Sequence, residues 1–449
     1  MISSRGVSRT RLFLLFVLLA AAATLSGAAQ PRGVRRVVLI SIDGLSPSEY
    51  TTATAAQIPA IRALAARGAW SSGVRGVVPT VTYPSHTTLI TGVTPAVHGI
   101  VDNRILDPEG RSGSAWHWYA EAIRVPTLPG IVQADGGIAA AVSWPATVGM
   151  EIDFNIPEFW RTEHIESLSL MRALSRPRNI LALVEAGRGA PFGWPFTDRD
   201  RTDMAKHLLG VVTRGILLLH LFEYDTVQHT SGPGSDAAIT SLERTDRYIA
   251  ELVKTIEDQG ESPETVTAIV SDHGFRTYDT VLNPNAAFKQ EGLLATNAAG
   301  TITDWQAYYH SSGGGGFVYL KRPGDSALKT RVGSLLSKLK DNGLNGIEAI
   351  WTRGDLDRLG AHPGASFGIA MADGYYSGQA TNELRRTSGK RGGHGYDPAA
   401  REMNAAFIIG GNAVPRRGDV GIVRMTQIAP TLAGMLGLRL PPEADTAIW

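Results

Sequence analysis

Three hydrophobic runs along the chain each end at an aspartate. The runs and the aspartates that follow them are residues 37–42 with Asp43, residues 216–224 with Asp225, and residues 265–271 with Asp272. Near-continuous apolar runs separated by helical stretches are typical of parallel strands that are buried on both faces of a sheet. Such sheets bind ligands at the carboxyl ends of their strands, so the pattern predicts three carboxylates at one edge. Because clustered carboxylates repel one another and lose hydration, the pattern also predicts a cation between them.

Helical and strand patterns alternate along most of the chain. Apolar residues at helical spacing predict helices at residues 46–67, 203–213, 235–259, 326–342 and 425–436. Further strands are predicted at residues 70–78, 137–143, 367–372 and 405–410. The alternation predicts an α/β sandwich in which helices flank a central, mostly parallel sheet. Residues 151–200 and 276–390 follow this rhythm poorly, and we expect them to be insertions at the active-site end of the sheet.

The first 29 residues have the pattern of a secretory signal peptide. Three arginines precede the apolar stretch 12–23, and small residues follow at positions 26–29. The alternative is an uncleaved N-terminal anchor, because residues 12–31 carry no charge and about 20 apolar residues can span a bilayer. The first interpretation predicts a periplasmic or secreted protein with no membrane segment after cleavage.

Composition excludes several classes of site. The chain has no cysteine, so disulfides, thiolate metal sites and cysteine nucleophiles are excluded. Removal of the first 29 residues takes away three of the 43 basic residues and none of the 42 acidic ones, which changes the formal charge from +1 to −2. This balance gives no indication of a nucleic-acid-binding surface.

Five short motifs contain the candidate metal ligands. They are IDG at residues 42–44, PTVTYPSH at 79–86, DTVQH at 225–229, DHG at 272–274 and GGHGYD at 392–397. An aspartate and a histidine four residues apart lie on one face of a helical turn, as Asp225 and His229 would. Gly274 permits a turn that lets Asp272 and His273 reach one ion. Oxygen and imidazole ligands without sulfur favour zinc, with manganese or iron as alternatives.

The order and spacing of these motifs resemble those of the alkaline phosphatase superfamily and, within it, the nucleotide pyrophosphatase/phosphodiesterase family. The stretch TGVTPAVHGIVDN at residues 91–103 adds to the resemblance, which extends over about residues 36–440. It implies an alkaline-phosphatase-like phosphodiesterase domain over residues 30–449, with insertions near 151–200 and 276–390.

The resemblance implies two Zn²⁺ ions per chain and a covalent mechanism. The implied ligands of the first zinc are Asp43, Asp272, His273 and Thr82, and those of the second are Asp225, His229 and His394. Thr82 is the implied nucleophile, because coordination to zinc lowers the pKa of its hydroxyl and allows attack on phosphorus. Asn103 is implied to donate its side-chain amide to a non-bridging phosphoryl oxygen, with support from the backbone N–H of Tyr83.

Two features bear on the substrate. Related threonine-using phosphomonoesterases carry a Lys-x-Arg pair where this chain reads VSWPAT at residues 142–147. This stretch resembles the Trp-Pro-Gly-Ser of phosphodiesterases, which makes Trp144 a candidate substrate-binding residue and favours diesters. Arg161 is the nearest replacement cation, although it also fits a surface position. Tyr83 is expected to stack under a nucleobase, with Phe159 or Trp160 on the other side, and ordinary packing is the alternative for these aromatics.

The sequence therefore predicts an exported two-zinc phosphodiesterase or nucleotide pyrophosphatase that acts on small phosphodiester, nucleotide or lipid diester substrates. The alternatives are a phosphomonoesterase or phosphotransferase of the same superfamily, and a catalytically inactive metal-binding protein. The presence of Thr82, Asn103 and all six Asp/His ligands argues against the last. His86, His98 and His220 lie outside the ligand pattern and are predicted to be structural, whereas His310 and His362 are predicted at the surface or in a pocket.

Overall fold

An eight-stranded sheet forms the centre of the computed structural model, which describes residues 33–113, 115–159 and 167–449. Across the sheet the strands lie in the order Gly418–Asp419, Ala69–Trp70, Phe407–Gly410, Thr265–Val270, Arg36–Ile42, Gly215–Leu221, Ile138–Val142 and Phe154–Ile156. Phe407–Gly410 is antiparallel to both of its neighbours, and every other adjacent pair in this sheet is parallel. The α/β architecture with a mostly parallel sheet is confirmed.

Alternate residues of the central strand enter two different cores. Val37 and Leu39 point into one core, whereas Val38 and Ile40 point into the other, and all four are buried. This alternation follows from the period of two along a strand. Helices Pro59–Arg67, Asp198–Leu209 and Asp236–Asp258 cover one face, and helices Thr82–Thr91, Leu128–Ala134 and Ile428–Met435 cover the other.

Residues 276–390 contain regular structure of their own. A four-stranded antiparallel sheet has the order Ala307–Ser311, Gly315–Leu320, Phe367–Met371 and Ile347–Trp351, and a three-stranded sheet has the order Gly374–Ser377, Arg276–Leu282 and Arg385–Gly393. The remaining strand pairs are Leu294–Thr296 with Ile302–Trp305, and Gly73–Arg75 with Ile422–Arg424. Helix Ser326–Asp341 packs on the four-stranded sheet and closes a separate hydrophobic core. Val34–Trp449 form one compact unit, within which the division into a domain core and two insertions stays a prediction.

The other helices are short. The α-helices are Ser48–Thr51, Pro95–His98, Ser167–Leu174, Ile180–Arg188, Glu223–Ser231, Pro284–Gln290 and Arg353–Arg358. The 3₁₀ turns are Ala120–Ala122, Ser262–Glu264, Gly343–Asn345, Arg401–Met403 and Met425–Gln427. Among the described residues no helix combines the length and the apolar character that a membrane crossing requires. The predicted signal peptide lies outside the described residues.

The predicted strand at 216–224 is wrong at its end. The strand stops at Leu221, and Asp225 lies in the first turn of helix Glu223–Ser231 rather than at a strand end. The cause is tertiary, because the Asp198 carboxylate accepts the N–H groups of Phe222 at 3.2 Å and Glu223 at 3.0 Å. The Asp198 carboxylate therefore caps the start of this helix. In most helices a side chain of the same segment accepts these N–H groups.

Other boundaries also differ. The predicted helix 46–67 divides into Ser48–Thr51 and Pro59–Arg67, since Pro59 begins a helix but cannot continue one. The predicted strand 70–78 is reduced to two short strands, and the predicted strand 367–372 belongs to the four-stranded sheet instead of the central one.

A matched pair of substitutions tests the burial of the central strand. We expect Ile40→Ala to lower the free energy of unfolding by about 2–5 kcal/mol, because it leaves a cavity in the core. Ile422→Ala removes the same atoms from a side chain that is 61% exposed and should change it by less than about 0.5 kcal/mol. Urea denaturation measures both values, and equal losses would contradict the assigned burial.

Candidate functional site

The central sheet brings two carboxylates to one edge. Asp43 directly follows strand Arg36–Ile42, and Asp272 lies two residues after strand Thr265–Val270. These strands are adjacent and parallel, so their carboxyl ends coincide. The backbone N–H of Gly44 donates to Asp272 Oδ1 at 3.1 Å, which ties the two loops together.

His273 joins these carboxylates in one buried group. Its Nε2 lies 3.4 Å from Asp43 Oδ1 and 3.0 Å from Asp272 Oδ2. All three side chains are buried, and their potential ligand atoms lie within 4.8 Å of one another. The structure therefore places together the three Asp/His residues that were predicted for the first zinc.

The three residues predicted for the second zinc also meet. His229 Nε2 lies 3.4 Å from Asp225 Oδ1 and 3.2 Å from His394 Nε2, and the distance from His394 Nε2 to Asp225 Oδ1 is 3.9 Å. Helix Glu223–Ser231 supplies Asp225 and His229, and His394 follows strand Arg385–Gly393. The two groups adjoin, because the rings of His273 and His394 stack with centroids 3.6 Å apart. Asp225, His273 and His394 also place ligand atoms within 4.8 Å of one another.

Four buried polar atoms in these groups have no partner in hydrogen-bond geometry among the described residues, although two of them, His273 Nε2 and Asp272 Oδ2, lie 3.0 Å apart. They are Asp43 Oδ1, Asp225 Oδ1, Asp272 Oδ2 and His273 Nε2. Buried polar atoms are normally hydrogen-bonded, and an unpaired one costs about 1–3 kcal/mol. Their convergence, together with a donor set of carboxylate oxygens and imidazole nitrogens, fits one or two divalent cations.

The pKa values of the carboxylates reflect the same crowding. Burial raises the pKa of Asp43 well above its usual range, and the charges of Asp272 and Asp225 raise it further. Burial also raises the pKa of Asp225. At Asp272 burial acts in the same direction, but the interactions with His273 and the charges of His86 and His220 together outweigh burial and hold the pKa well below its usual range. The raised pKa values of Asp43 and Asp225 therefore indicate that the positive charge near these two carboxylates does not balance their negative charge.

Thr82 and Asn103 share a cavity of about 480 Å³ with the second of these groups. Thr82, Asn103, Asp225, His229 and His394 all line this cavity, which we call the site cavity. Thr82 begins helix Thr82–Thr91. The next backbone N–H, that of Tyr83, donates to Asn103 Oδ1 at 2.8 Å. This bond occupies the N–H that was expected to contact a phosphoryl oxygen, and it leaves the Asn103 NH₂ group as the donor.

The structure places the side chains of Tyr83 and Trp144, which were predicted to contact substrate, outside the lining of the site cavity. Both side chains are fully buried. The Tyr83 ring packs edge-on against Trp116 and Trp118, and the Trp144 indole N–H donates to the backbone oxygen of His86 at 3.3 Å. Packing against neighbouring aromatics and the helix removes both rings from the site cavity.

The other predicted aromatics do not line the site cavity in the described part of the chain. Phe159 packs on Trp118, with ring centroids 5.1 Å apart, and lines a separate apolar cavity of about 670 Å³. Trp160 and Arg161 lie outside the described residues. Trp116, which the sequence analysis missed, lines the site cavity beside Asn103. In the sequence it was marked only by the aromatic stretch WHWY at residues 116–119.

A buried series of hydrogen bonds connects Tyr83 through Glu158 and His220 to Asp43. The Tyr83 hydroxyl donates to Glu158 Oε1 at 2.9 Å, the other carboxylate oxygen of Glu158 lies 2.9 Å from His220 Nδ1, and His220 Nε2 lies 3.0 Å from Asp43 Oδ2. Ionised carboxylates only accept hydrogen bonds, so when Asp43 and Glu158 are both ionised, both ring nitrogens of His220 donate and the ring is an imidazolium. Burial lowers the pKa of His220, but the bonds to Asp43 and Glu158 outweigh this and raise it to about 10.

His220 was predicted to be structural. In the structure it also contacts Asp43, one of the candidate metal ligands, directly. A signal was present in the sequence, because His220 is the one polar side chain in the apolar run 216–221. Glu158 carried no comparable signal, since it lies in a stretch without periodic pattern.

Substitution of Glu158 tests the buried chain of bonds. We expect Glu158→Gln to lower the free energy of unfolding by about 3 kcal/mol, because it leaves the His220 cation with one carboxylate and faces its N–H with an amide NH₂ group. Tyr83→Phe removes one neutral donor and should cost about 1 kcal/mol. Urea denaturation in the presence of a chelator measures both without a contribution from metal. A loss for Glu158→Gln no larger than that for Tyr83→Phe would contradict the assigned charge pair.

Comparisons with known proteins agree with this geometry. Residues 37–397 match the model of the family described as type I phosphodiesterase / nucleotide pyrophosphatase. Ectonucleotide pyrophosphatase/phosphodiesterase family member 1 of Mus musculus is 25% identical over 249 residues, which cover 53% of this chain and 24% of that protein. Venom phosphodiesterase 2 of Crotalus adamanteus is 22% identical over 443 residues, which cover 94% of this chain and 48% of that protein. The chain thus spans half or less of the length of these relatives.

Solved structures show the same fold. Human ectonucleotide pyrophosphatase/phosphodiesterase 5 superposes with a TM-score of 0.64 at 19% sequence identity, over 92% of this chain and 97% of that one. The murine counterpart, solved as an inactive threonine-to-alanine variant in complex with AMP, has a TM-score of 0.64 at 17% identity, over 92% of this chain and 98% of that one.

Proposed function

Because the chain belongs to the type I phosphodiesterase / nucleotide pyrophosphatase family, we propose that it is an exported hydrolase of phosphate diesters or pyrophosphates. It uses two Zn²⁺ ions and a phospho-threonine intermediate. The observation that carries the proposal is the convergence of unpartnered, buried carboxylate and imidazole atoms beside a cavity that Thr82 and Asn103 line. The N-terminal pattern of residues 1–29 supports export.

Two groups of residues are assigned to the metal. Asp43, Asp272 and His273, with the Thr82 hydroxyl, would hold one zinc, and Asp225, His229 and His394 would hold the other. When bound, zinc lowers the pKa of a coordinated hydroxyl and stabilises charge on phosphoryl oxygens. His229 and His394 are oriented for this role, because their Nδ1 atoms lie 3.2 Å from the backbone oxygens of Gly392 and Thr80, respectively, and their Nε2 atoms face each other.

The residues of the chain perform the transfer in two steps. Thr82 Oγ1 attacks phosphorus in line, its proton passes to solvent water, and the bond from phosphorus to the leaving oxygen breaks, so that the leaving group departs. Water then attacks the phospho-threonine, the bond from phosphorus to Thr82 Oγ1 breaks, and a proton of this water returns to Oγ1, which releases the phosphate monoester and restores Thr82. Asn103 donates its NH₂ group to a non-bridging oxygen in both steps. The bond from the Tyr83 N–H to Asn103 Oδ1 fixes the amide in that orientation before substrate binds.

Charge at the site favours diesters over monoesters. The strand end at residues 142–147 offers no cation, and among the described residues that line the site cavity Arg104 is the one basic side chain apart from the two histidines assigned to metal. A dianionic monoester carries one more charge than a diester, and the Lys-x-Arg pair of related phosphomonoesterases is absent from residues 142–147. The alternatives remain a phosphomonoesterase or phosphotransferase, and an inactive metal-binding protein.

The ratio of diester to monoester hydrolysis tests the proposed reaction. We expect kcat/KM for bis-p-nitrophenyl phosphate to exceed that for p-nitrophenyl phosphate. Thr82→Ala should lower kcat by at least about 10³-fold, whereas Thr82→Ser keeps a nucleophile and should retain part of the activity. A monoester preference would favour the monoesterase alternative. Unchanged turnover in Thr82→Ala would sink the nucleophile assignment, and no activity on either ester would favour the inactive protein.

Metal content provides an independent test. We expect elemental analysis to find two zinc ions per chain in the wild-type protein and about one in His229→Ala. Zinc should also raise the Tm of the wild-type protein relative to chelator, because it binds the native state alone. His207→Ala, a histidine on helix Asp198–Leu209 outside the site, is the control and should bind two. A wild-type content well below two would contradict the two-zinc assignment.

A further inference from the structure

The three candidate ligands of the first zinc are held in two different ways. The backbone N–H of Gly44 donates to Asp272 Oδ1 at 3.1 Å, and His273 Nδ1 lies 3.2 Å from the backbone oxygen of the next residue. The Asp43 carboxylate is held by a side chain instead, since His220 Nε2 lies 3.0 Å from its Oδ2. The orientation of Asp43 therefore depends on a residue that a substitution can remove.

These hydrogen bonds leave one oxygen of each carboxylate for a metal. At Asp43, His220 occupies Oδ2, while Oδ1 has no partner in hydrogen-bond geometry among the described residues and lies 3.4 Å from His273 Nε2. At Asp272, a backbone N–H occupies Oδ1, and Oδ2 lies 3.0 Å from the same His273 atom. Two such oxygens, the imidazole nitrogen and Thr82 Oγ1 make four donors, which is the number that zinc prefers in proteins.

Two acceptors on the far side of the ring fix His220 in the orientation that Asp43 requires. His220 Nδ1 lies 2.9 Å from Glu158 Oε2 and 3.1 Å from the backbone oxygen of Ser143. Ser143 has a φ of 51°, a left-handed conformation that is unfavourable for a residue other than glycine. Such strained positions cluster at functional sites. The strained backbone of Ser143 and the Glu158 carboxylate therefore both serve the bond from His220 to Asp43.

Stability alone does not account for a buried pair of His220 and Glu158. The two residues are 1% and 7% exposed, respectively. Charged groups lose much of their hydration at such positions, and well-packed apolar residues of similar size are often at least as stabilising. The pair contacts a candidate metal ligand directly. This contact indicates a function in the metal site, because the partners of a ligating carboxylate orient it toward the ion.

We propose that His220 and Glu158 are positioning residues of the first metal site, which hold Asp43 so that Oδ1 alone binds the ion. The proposal rests on the zinc assignment of the proposed function. It implies that the pair sets the zinc affinity of the first site and not that of the second. In the second site, the Nδ1 atoms of His229 and His394 lie 3.2 Å from backbone oxygens, which a substitution of His220 or Glu158 does not remove.

Two double variants test this role. His220→Leu/Glu158→Leu, the leucine variant, removes the bond to Asp43 and leaves neither partner as an unpaired buried charge. His220→Gln/Glu158→Leu, the glutamine variant, has the same charge and keeps an N–H donor for Asp43. Both are made in the His229→Ala background, in which the zinc that remains occupies the first site. We expect the leucine variant to bind this zinc about 10–100-fold more weakly than the background in competition with a chromophoric chelator, and the glutamine variant to recover part of the loss.

A buried substitution away from the site is the control. Ile249 is fully buried on helix Asp236–Asp258, so Ile249→Ala destabilises the fold without contact to the site, and it should change the zinc affinity by less than about twofold. Unchanged zinc binding in the leucine variant, or an equal loss in Ile249→Ala, would overturn the positioning role. Should the leucine variant not fold, Glu158→Gln in the same background replaces it, with an expected loss of about tenfold, and unchanged binding again overturns the role.

Cobalt(II) gives a second measurement of the same site. A four-coordinate cobalt ion absorbs visible light more strongly than a six-coordinate one. We expect weaker absorption in the leucine variant than in the background, because Asp43 without its partner is free to bind through both oxygens. An identical spectrum would contradict the assigned single-oxygen binding.

Failure of the proposed function would be seen separately, because zinc binding is measured without substrate. A wild-type protein that binds zinc but hydrolyses no ester contradicts the proposed reaction, and the affinities of the variants still decide the positioning role. Hydrolysis of diesters by the wild-type protein, together with unchanged zinc binding in the leucine variant, contradicts the positioning role alone.

Discussion

The crowding of buried carboxylates at one edge of the central sheet is the constraint on which the rest of the site depends. Asp43 and Asp272 follow adjacent parallel strands, and helix Glu223–Ser231 brings Asp225 against them. Three carboxylates in a medium of low polarity repel one another strongly. The fold tolerates them because His273 lies between them, because His220 pairs with Asp43, and because the remaining unpartnered atoms converge where a cation is proposed to bind.

His220 supplies positive charge to these carboxylates in addition to the proposed metal. His220 is held between Asp43 and Glu158, and Glu158 also accepts the hydroxyl of Tyr83. The backbone N–H of Tyr83 in turn holds Asn103. One residue next to Thr82 therefore connects the carboxylate group to the donor proposed for the phosphoryl oxygen. Tyr83 was expected to contact substrate, but its side chain is fully buried. These hydrogen bonds account for the burial, because the Tyr83 hydroxyl contacts Glu158 while its backbone N–H holds Asn103.

The accessory sheets supply the parts of the site that the central sheet does not. Strand Arg385–Gly393 leads to His394, and strand Ala307–Ser311 places Ser311 on the wall of the site cavity and His310 on the wall of a neighbouring cavity. The central sheet and its loops thus provide carboxylates and the candidate nucleophile, while residues 276–390 determine the space beyond them. This division matches the general rule that segments held by a rigid scaffold often carry the residues that bind a ligand.

The sequence by itself determined the parts of this protein that depend on local pattern. Buried strands read as apolar runs, so the central sheet, the position of Asp43 and Asp272 at its edge, and the candidate Asp/His ligands were predictable from hydrophobic period and motif spacing. Tertiary structure alone decided the rest. The Asp198 carboxylate accepts a backbone N–H at the start of the helix that carries Asp225 and His229, and the preceding strand therefore ends early. Side chains from distant segments bury Tyr83 and Trp144. His220 and Glu158 acquire their partners only when segments far apart in the chain meet. No local pattern encodes such contacts, because hydrogen bonds and burial depend on which groups the fold brings within a few ångströms of each other.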